Sequence, residues 1–441
     1  MNVPDIGLIV DVCDGLIIFD QARDAVRLVH ETASEYFKQR WTSWLPGAHQ
    51  YMATVLIRYL SYEQFSIAPS QTQREYDERL QMNCLYEYAA SYWGDHARQA
   101  YPQVKDLVAR FLRCESKLLN TVQVLDSPRF PFSILRIPDR VTGLHIAAYF
   151  GLIEQIRELI REKESPNTTD SFGRTALHWA VKNGQRQVAE LLVNHGLDTN
   201  ALDVQLETPM HYSARRGSKA LVELLINLGS QVEARNKAGE SLLLVAAGSL
   251  NLDALGVLLA NGADVNASDN MDRNALHLAI TASGGKQVES VKLLLSYGVD
   301  VALCDRDNMT PFHYAVAKGN TDLIDLLLEA GANINLGVQR EYVTGTRRPI
   351  STKTGVPAAP TQDVDDAIGL TPLHYAACVG HHKMTEYLLS KGANPNARSH
   401  HGDTPLHLAL RRGLLEAKSN CRETMTFSAL PDGDAWNDDS R

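Results

Sequence analysis

A four-residue core recurs along this chain at a nearly fixed interval, and a chain built from one repeated unit has few ways to fold. Clean copies are Thr371-Pro372-Leu373-His374 and Thr404-Pro405-Leu406-His407. Variants stand at Thr142–His145, Thr175–His178, Thr208–His211, Asn274–His277 and Thr310–His313, and a degenerate copy, Ser241–Leu244, fills the one gap. Counted on the histidine position, the steps are 33, 33, 33, 33, 36, 61 and 33 residues. A single unit of that size cannot bury its own apolar face, so such units stack into a one-dimensional array.

The second copy shows how a unit folds. Asp170–Gly173 is a turn, with Gly173 supplying the permissive backbone. Thr175 caps the helix that follows, and Pro or Ala suits the first helical position. Leu177, Ala180 and Val181 form an apolar stripe at helical spacing, and Asn183-Gly184 ends the helix. Val188, Leu191, Leu192 and Val193 build a second helix, ended by His195-Gly196. Small residues at Ala147, Ala180, Ala214, Ala247, Ala279, Ala315, Ala376 and Ala409 let neighbouring first helices approach closely. With this core and period, residues 141–413 resemble the ankyrin repeats, in eight copies. The resemblance implies a mainly α solenoid that binds proteins and is not an enzyme.

Composition narrows the partners. The chain carries 43 Lys and Arg against 52 Asp and Glu, a net charge of −9, which argues against nucleic acid as the partner. No run approaches the apolar length of a membrane span, and no secretory signal opens the sequence. The six cysteines are scattered without a Cys-x-x-Cys pair, so zinc sites and a disulfide framework are not expected, and the setting reads as reducing: cytoplasmic or nuclear. The oligomeric state is open.

The histidines in register read as structural. Equivalent residues on stacked helices lie about 10 Å apart, too far to share a metal held at about 2 Å. Each is expected to bond local backbone and its capping Thr. Asn200, Asn266, Asn335 and Asn396 read as turn residues. The 36-residue step adds residues around Ser283-Gly284-Gly285, and the 61-residue step inserts a polar segment, roughly 337–364, with Arg340, Arg347, Arg348 and Lys353. That segment is either an inert insertion extruded at a hairpin or a regulated binding loop.

The part before the repeats has another pattern. Gly15–Asp20 and Val26–His30 are β-rich runs around a polar turn, a hairpin. Helices are expected over 31–40, 47–60, 85–92 and 104–119. Leu28–Phe37 resembles the winged-helix end of the NACHT modules of STAND and NLR-type proteins, and Leu85–Ala97 resembles the helical segment that joins such modules to ankyrin arrays in filamentous-fungal proteins. The resemblance implies a winged-helix-like remnant over 1–46 and a helical linker domain over 47–135. It places His30 at the position that contacts the β-phosphate of ADP. A phosphate-binding loop ending in Gly-Lys-Ser/Thr is absent; the nearest string, Gly284-Gly285-Lys286-Gln287, lacks the first Gly and the hydroxyl. The expectation is therefore a partial chain without its NTPase core, and no cofactor.

Other catalytic patterns fail on inspection. Ser34 stands where a zinc protease needs a second His after His30-Glu31, and no Gly-x-Ser-x-Gly occurs. Asp305–Asn308 starts like a calcium loop but lacks the glycine and closing glutamate, and His381-His382 and His400-His401 diverge too much to chelate. Residues 421–441, with Asp432, Asp434, Asp438 and Asp439, read as a disordered acidic tail.

Arrays of this kind bind through hairpin tips and the exposed positions of the inner helices, which form a concave face. In this register the slots hold Phe172, Arg174, Lys182, Arg215, Arg216, Lys237, Met271, Arg273, Arg306, Lys318, Arg411 and Arg412. Basic residues dominate them although the chain is acidic, so the expected partner is an acidic segment, with Phe172, Trp179, Met271 and Tyr314 as apolar anchors.

Overall fold

The structure, a computed structural model, describes residues 17–20, 25–28, 47–65, 69–126, 138–162, 166–337 and 369–411. The chain falls into two compact units, Met1–Glu164 and Ser165–Arg441.

In the first unit, β1 (Ile17–Asp20) pairs antiparallel with β2 (Ala25–Leu28), Ile17 opposite Leu28. This is the hairpin expected from the two apolar runs. The expected helix over 31–40, His30 and the rest of the winged-helix resemblance lie outside the described residues. Five helices follow: α1 (Ala48–Leu60), α2 (Gln73–Met82), α3 (Tyr86–Gln99), α4 (Tyr101–Leu112) and α5 (Glu115–Asp126). The single helix expected over 104–119 is two, because the chain breaks at Arg113-Cys114, where the Cys114 carbonyl turns to accept from Lys117 and Leu118. The helix α2 gives no apolar period, since Tyr76 is its one buried residue. It is started by Thr72, whose hydroxyl accepts from the Glu75 N–H at 3.2 Å, while the Glu75 carboxylate accepts from the Gln71 N–H at 2.8 Å.

The first unit also contains the first repeat, α6 (Gly143–Phe150) and α7 (Ile153–Arg161). The preceding helices are welded to it. The fully buried Trp93 ring lies 5.0 Å from the rings of both Phe111 and Phe150. Gly94 permits this, because a Cβ there would sit 2.1 Å from the Phe150 ring. Gly143 does the same from the other side: its Cβ would be 2.7 Å from the Leu112 carbonyl oxygen. At the rim, Arg113 pairs with Glu162 at 2.7 Å, and Lys105 pairs with Glu158. A single repeat exposes apolar faces unless something covers them, and α3 and α4 pack on the first helix of this one.

The second unit holds the remaining repeats. Helix pairs occupy 176–194, 209–227, 242–260, 275–296, 311–329 and 372–390, and the first helix of an eighth repeat is Pro405–Arg411. First helices pack on first helices and second helices on second, in two rows. The alanines expected at the close approaches are buried to 1% exposure or less. Where the 36-residue step adds residues, the Gln287 side chain donates to the carbonyls of Ile280 and Ala282, at 3.0 and 2.6 Å, and closes the longer link. Across the 61-residue step the stack continues as though nothing were inserted. Tyr387 donates to Asp325 at 2.5 Å, Lys391 pairs with it at 2.6 Å, and a Cβ on Gly337 would be 2.9 Å from the Gly369 carbonyl oxygen. Residues 338–368 lie outside the described residues. Asn200, Asn266 and Asn335 do more than turn the chain: each side-chain oxygen accepts a backbone N–H of the next repeat, from Gln231, Asp300 and Asn394, at 2.7–2.9 Å.

Gly94→Ala is expected to destabilise the chain, because overpacking a filled core costs about 1–3 kcal/mol. That exceeds the roughly 0.5–1 kcal/mol that Ala gains over Gly within a helix. Urea unfolding checks this, and a variant as stable as the parent would refute the contact.

Candidate partner-binding surface

The surface is set from the hairpin upward. In repeat two the Asp170 Oδ1 accepts the N–H groups of Phe172 and Arg174, both at 2.9 Å, and Gly173 closes the turn at φ 76°. Asp203, Asn236, Asp269 and Asp305 hold their hairpins by the same pair of bonds. The second carboxylate oxygen reaches the helix beneath: Asp170 accepts from the Trp179 indole, Asp203 from Tyr212, and Asp305 from Tyr314. Each tip then donates one backbone N–H to the tip before it, Val204 to Phe172, Lys237 to Gln205, Asn270 to Ala238 and Arg306 to Met271, at 2.7–2.9 Å. The tips are a strung row.

The histidines sit under this row and lock it. Thr175 donates its N–H to His178 Nδ1 at 3.1 Å, which leaves the ring proton on Nε2, and Nε2 donates to the Glu207 carbonyl of the next repeat at 3.1 Å. His277 reaches the Met309 carbonyl and His374 the Asp403 carbonyl in the same way, both at 3.0 Å. His211 and His313 face the carbonyls of Glu240 and Leu370 with looser geometry. In the degenerate repeat Ser241 still caps, accepting from the Leu244 N–H. Among the described residues no group of three or more His, Cys, Asp or Glu is placed to hold a metal.

Burial, which penalises the charged ring, holds His178, His277 and His313 down at about 4 and lowers His211 and His374 in the same direction. An unfolded histidine takes its proton near pH 6.5.

The slots expected to bind divide into two kinds. Arg174 is not open: it is 6% exposed, ion-paired to Asp170 at 2.8 Å, and its guanidinium lies 5.0 Å from the Phe172 ring and 4.7 Å from Trp179. Arg273 pairs with Asp269 and Arg215 with Glu207, both partly buried. These three hold hairpins in place. Arg306 pairs with Asp272, Arg411 with Asp403, and Lys182 lies over Trp179. Arg216, Lys237 and Lys318 are exposed, and Phe172 and Met271 are half-buried at their tips. Arg412 lies outside the described residues. Trp179 and Tyr314 are core residues, 1% and 3% exposed, because their polar atoms are tied to the turn aspartates; neither is an open anchor.

The tip of repeat three, where register places Val204, is apolar. Leu202, Val204 and Leu206 are 53%, 50% and 45% exposed. Leu206 stands two residues before the Thr of the core, where other repeats carry Gly173, Gly239, Gly369 or Gly402; aligning the repeats on that position picks it out.

The sequence model for ankyrin repeats (3 copies) matches residues 144–236, 221–303, 242–337 and 356–419, together more than half of the chain. The chain belongs to the ankyrin repeat family. It is 31% identical over 139 residues to neurogenic locus notch homolog protein 1 of Xenopus laevis, covering 31% of this chain and 6% of that protein. It is 25% identical over 338 residues to the E3 ubiquitin-protein ligase KEG of Arabidopsis thaliana, covering 68% of this chain and 21% of that one. The chain thus spans a small part of these relatives. An ankyrin repeat domain from Acinetobacter baumannii AYE is 30% identical over 43% of this chain and 98% of its own, with a TM-score of 0.40. Ankyrin repeats generally mediate protein–protein interaction. No helix among the described residues is long and apolar enough to cross a membrane.

The histidine row carries a pH dependence with a definite sign. Their folded values lie below the unfolded one, so the stability that comes from keeping the rings neutral is fully present above pH 6.5 and is lost as pH falls toward about 4. The urea midpoint is expected to fall through that window; a flat midpoint would contradict the assignment.

Proposed function

We propose that the chain is a non-enzymatic scaffold or adaptor, in the cytoplasm or nucleus, whose first-helix row and hairpin tips receive an acidic segment of a partner protein. One observation carries this reading. The eight first helices contain Lys182, Arg215, Arg216, Lys318 and Arg411 and no Asp or Glu, in a chain with more acidic than basic residues. Cations at a helix C-terminus gain about 0.3–1 kcal/mol from the helix dipole, and that accounts for their place at the helix ends. It leaves the charge of Arg216 and Lys318 facing solvent, where a partner carboxylate adds attraction and steers encounter.

A second reading draws on the weld between α3 and the first repeat. The segment resembling the linker of NLR-like proteins is the one whose Trp93 and Gly94 grip Phe150. On that reading the array is the regulatory arm of a signalling NTPase whose nucleotide-binding core is missing from this chain. Affinity capture on the full chain separates the two: the regulatory-arm reading expects a nucleotide-loaded NTPase among the bound proteins, and the scaffold reading expects none.

The charge reversal that tests the main reading avoids Arg215, since removing it would strand the Glu207 carboxylate that it neutralises. Arg216→Glu with Lys318→Glu is expected to weaken an acidic peptide bound by the parent chain by roughly tenfold, about 1.4 kcal/mol, and to flatten its salt dependence. Unchanged affinity would remove the acidic-partner reading.

A further inference from the structure

Leu206 occupies a backbone conformation that its side chain does not favour. Its φ is 58°, in the left-handed region, where the equivalent residues of other repeats are Gly173, Gly239, Asp272 and Asn308, with Arg140 at φ 60° in the first repeat. An aliphatic side chain there is strained, and this one is not repaid by burial, being 45% exposed. Leu202 and Val204, on the same tip, are likewise exposed. We propose that this tip is the apolar anchor site for an extended partner peptide in which an apolar side chain is followed by a carboxylate about three residues later. The proposal rests on the acidic-partner reading and names what that partner must carry.

The spacing and charge come from the strung tips. The tip segment has one carboxylate, Asp203, which is buried and spent on the N–H groups of Gln205 and Glu207 and on the Tyr212 hydroxyl. Glu207, next in the chain, is neutralised by Arg215. The following tip presents exposed Lys237, whose N–H is bonded to the Gln205 carbonyl at 2.7 Å. Stacked repeats lie about 10 Å apart, and an extended peptide advances about 3.3 Å per residue, so one tip-to-tip step is about three residues. A peptide crossing from Leu206 and Val204 to Lys237 therefore meets an apolar surface and then a cation.

The test is selection of peptides from a random displayed library on the full chain. Enriched peptides are expected to carry an apolar residue and a carboxylate about three positions apart. Leu206→Gly is expected to weaken them roughly tenfold while raising Tm by about 2–4 °C, because glycine relieves the strained backbone. Leu202→Ser with Val204→Ser, and Lys237→Glu, are each expected to weaken them similarly. Enriched peptides indifferent to the tip variants overturn the proposal, as does a Leu206→Gly chain with lowered Tm. If such peptides are nevertheless lost with Arg216→Glu and Lys318→Glu, the acidic-partner reading stands and this inference alone falls. Enrichment without carboxylates removes both.

Discussion

At His178, His277 and His374 a buried neutral imidazole with both nitrogens committed is the joint that fastens one repeat to the next. Nδ1 accepts from the cap of its own helix, and Nε2 donates into the hairpin of the following repeat, as in the path from Thr175 through His178 to Glu207. The first bond fixes where the helix starts, and the second fixes where the next hairpin begins. A lysine or arginine offers no acceptor for the first bond, and a leucine, as at Leu244, can form neither. Because the joint works only while the ring is neutral, its burial and its depressed proton affinity are one fact.

The aspartates extend that joint outward to the surface. Asp170, Asp203 and Asp305 each hold two backbone N–H groups of a tip and an aromatic side chain of the helix below. Rigid tips make a pre-organised surface, and pre-organisation lowers the ordering cost of binding. Rigidity also explains how a strained Leu206 persists: the bonds around it determine its backbone more strongly than its own preference does.

The same residue type serves opposite ends along this row. Arg174 and Arg216 both stand in slots that register alone marks as exposed, yet Arg174 is enclosed between two rings and a carboxylate while Arg216 is open. The difference lies in what faces each side chain, and those neighbours come from packing rather than from spacing. Trp179 and Tyr314 fail as open anchors for the same reason. In the first unit, α2 escaped a periodicity reading because it buries little besides Tyr76, and the break between α4 and α5 escaped because the apolar spacing runs through it.

By itself the sequence determined the repeat, its register, the helix pairs, and the capping role of Thr and His, because each depends on contacts within one unit or between identical neighbours. Even the strained position of Leu206 was written in the alignment of the repeats. The tertiary structure alone decided which cations are spent on turn carboxylates, that α3 and α4 close over the first repeat through Gly94, and that one tip shows three aliphatic side chains to solvent. Those outcomes depend on which side chains meet across distant segments, and a repeating pattern, identical in every copy, does not specify its own exceptions.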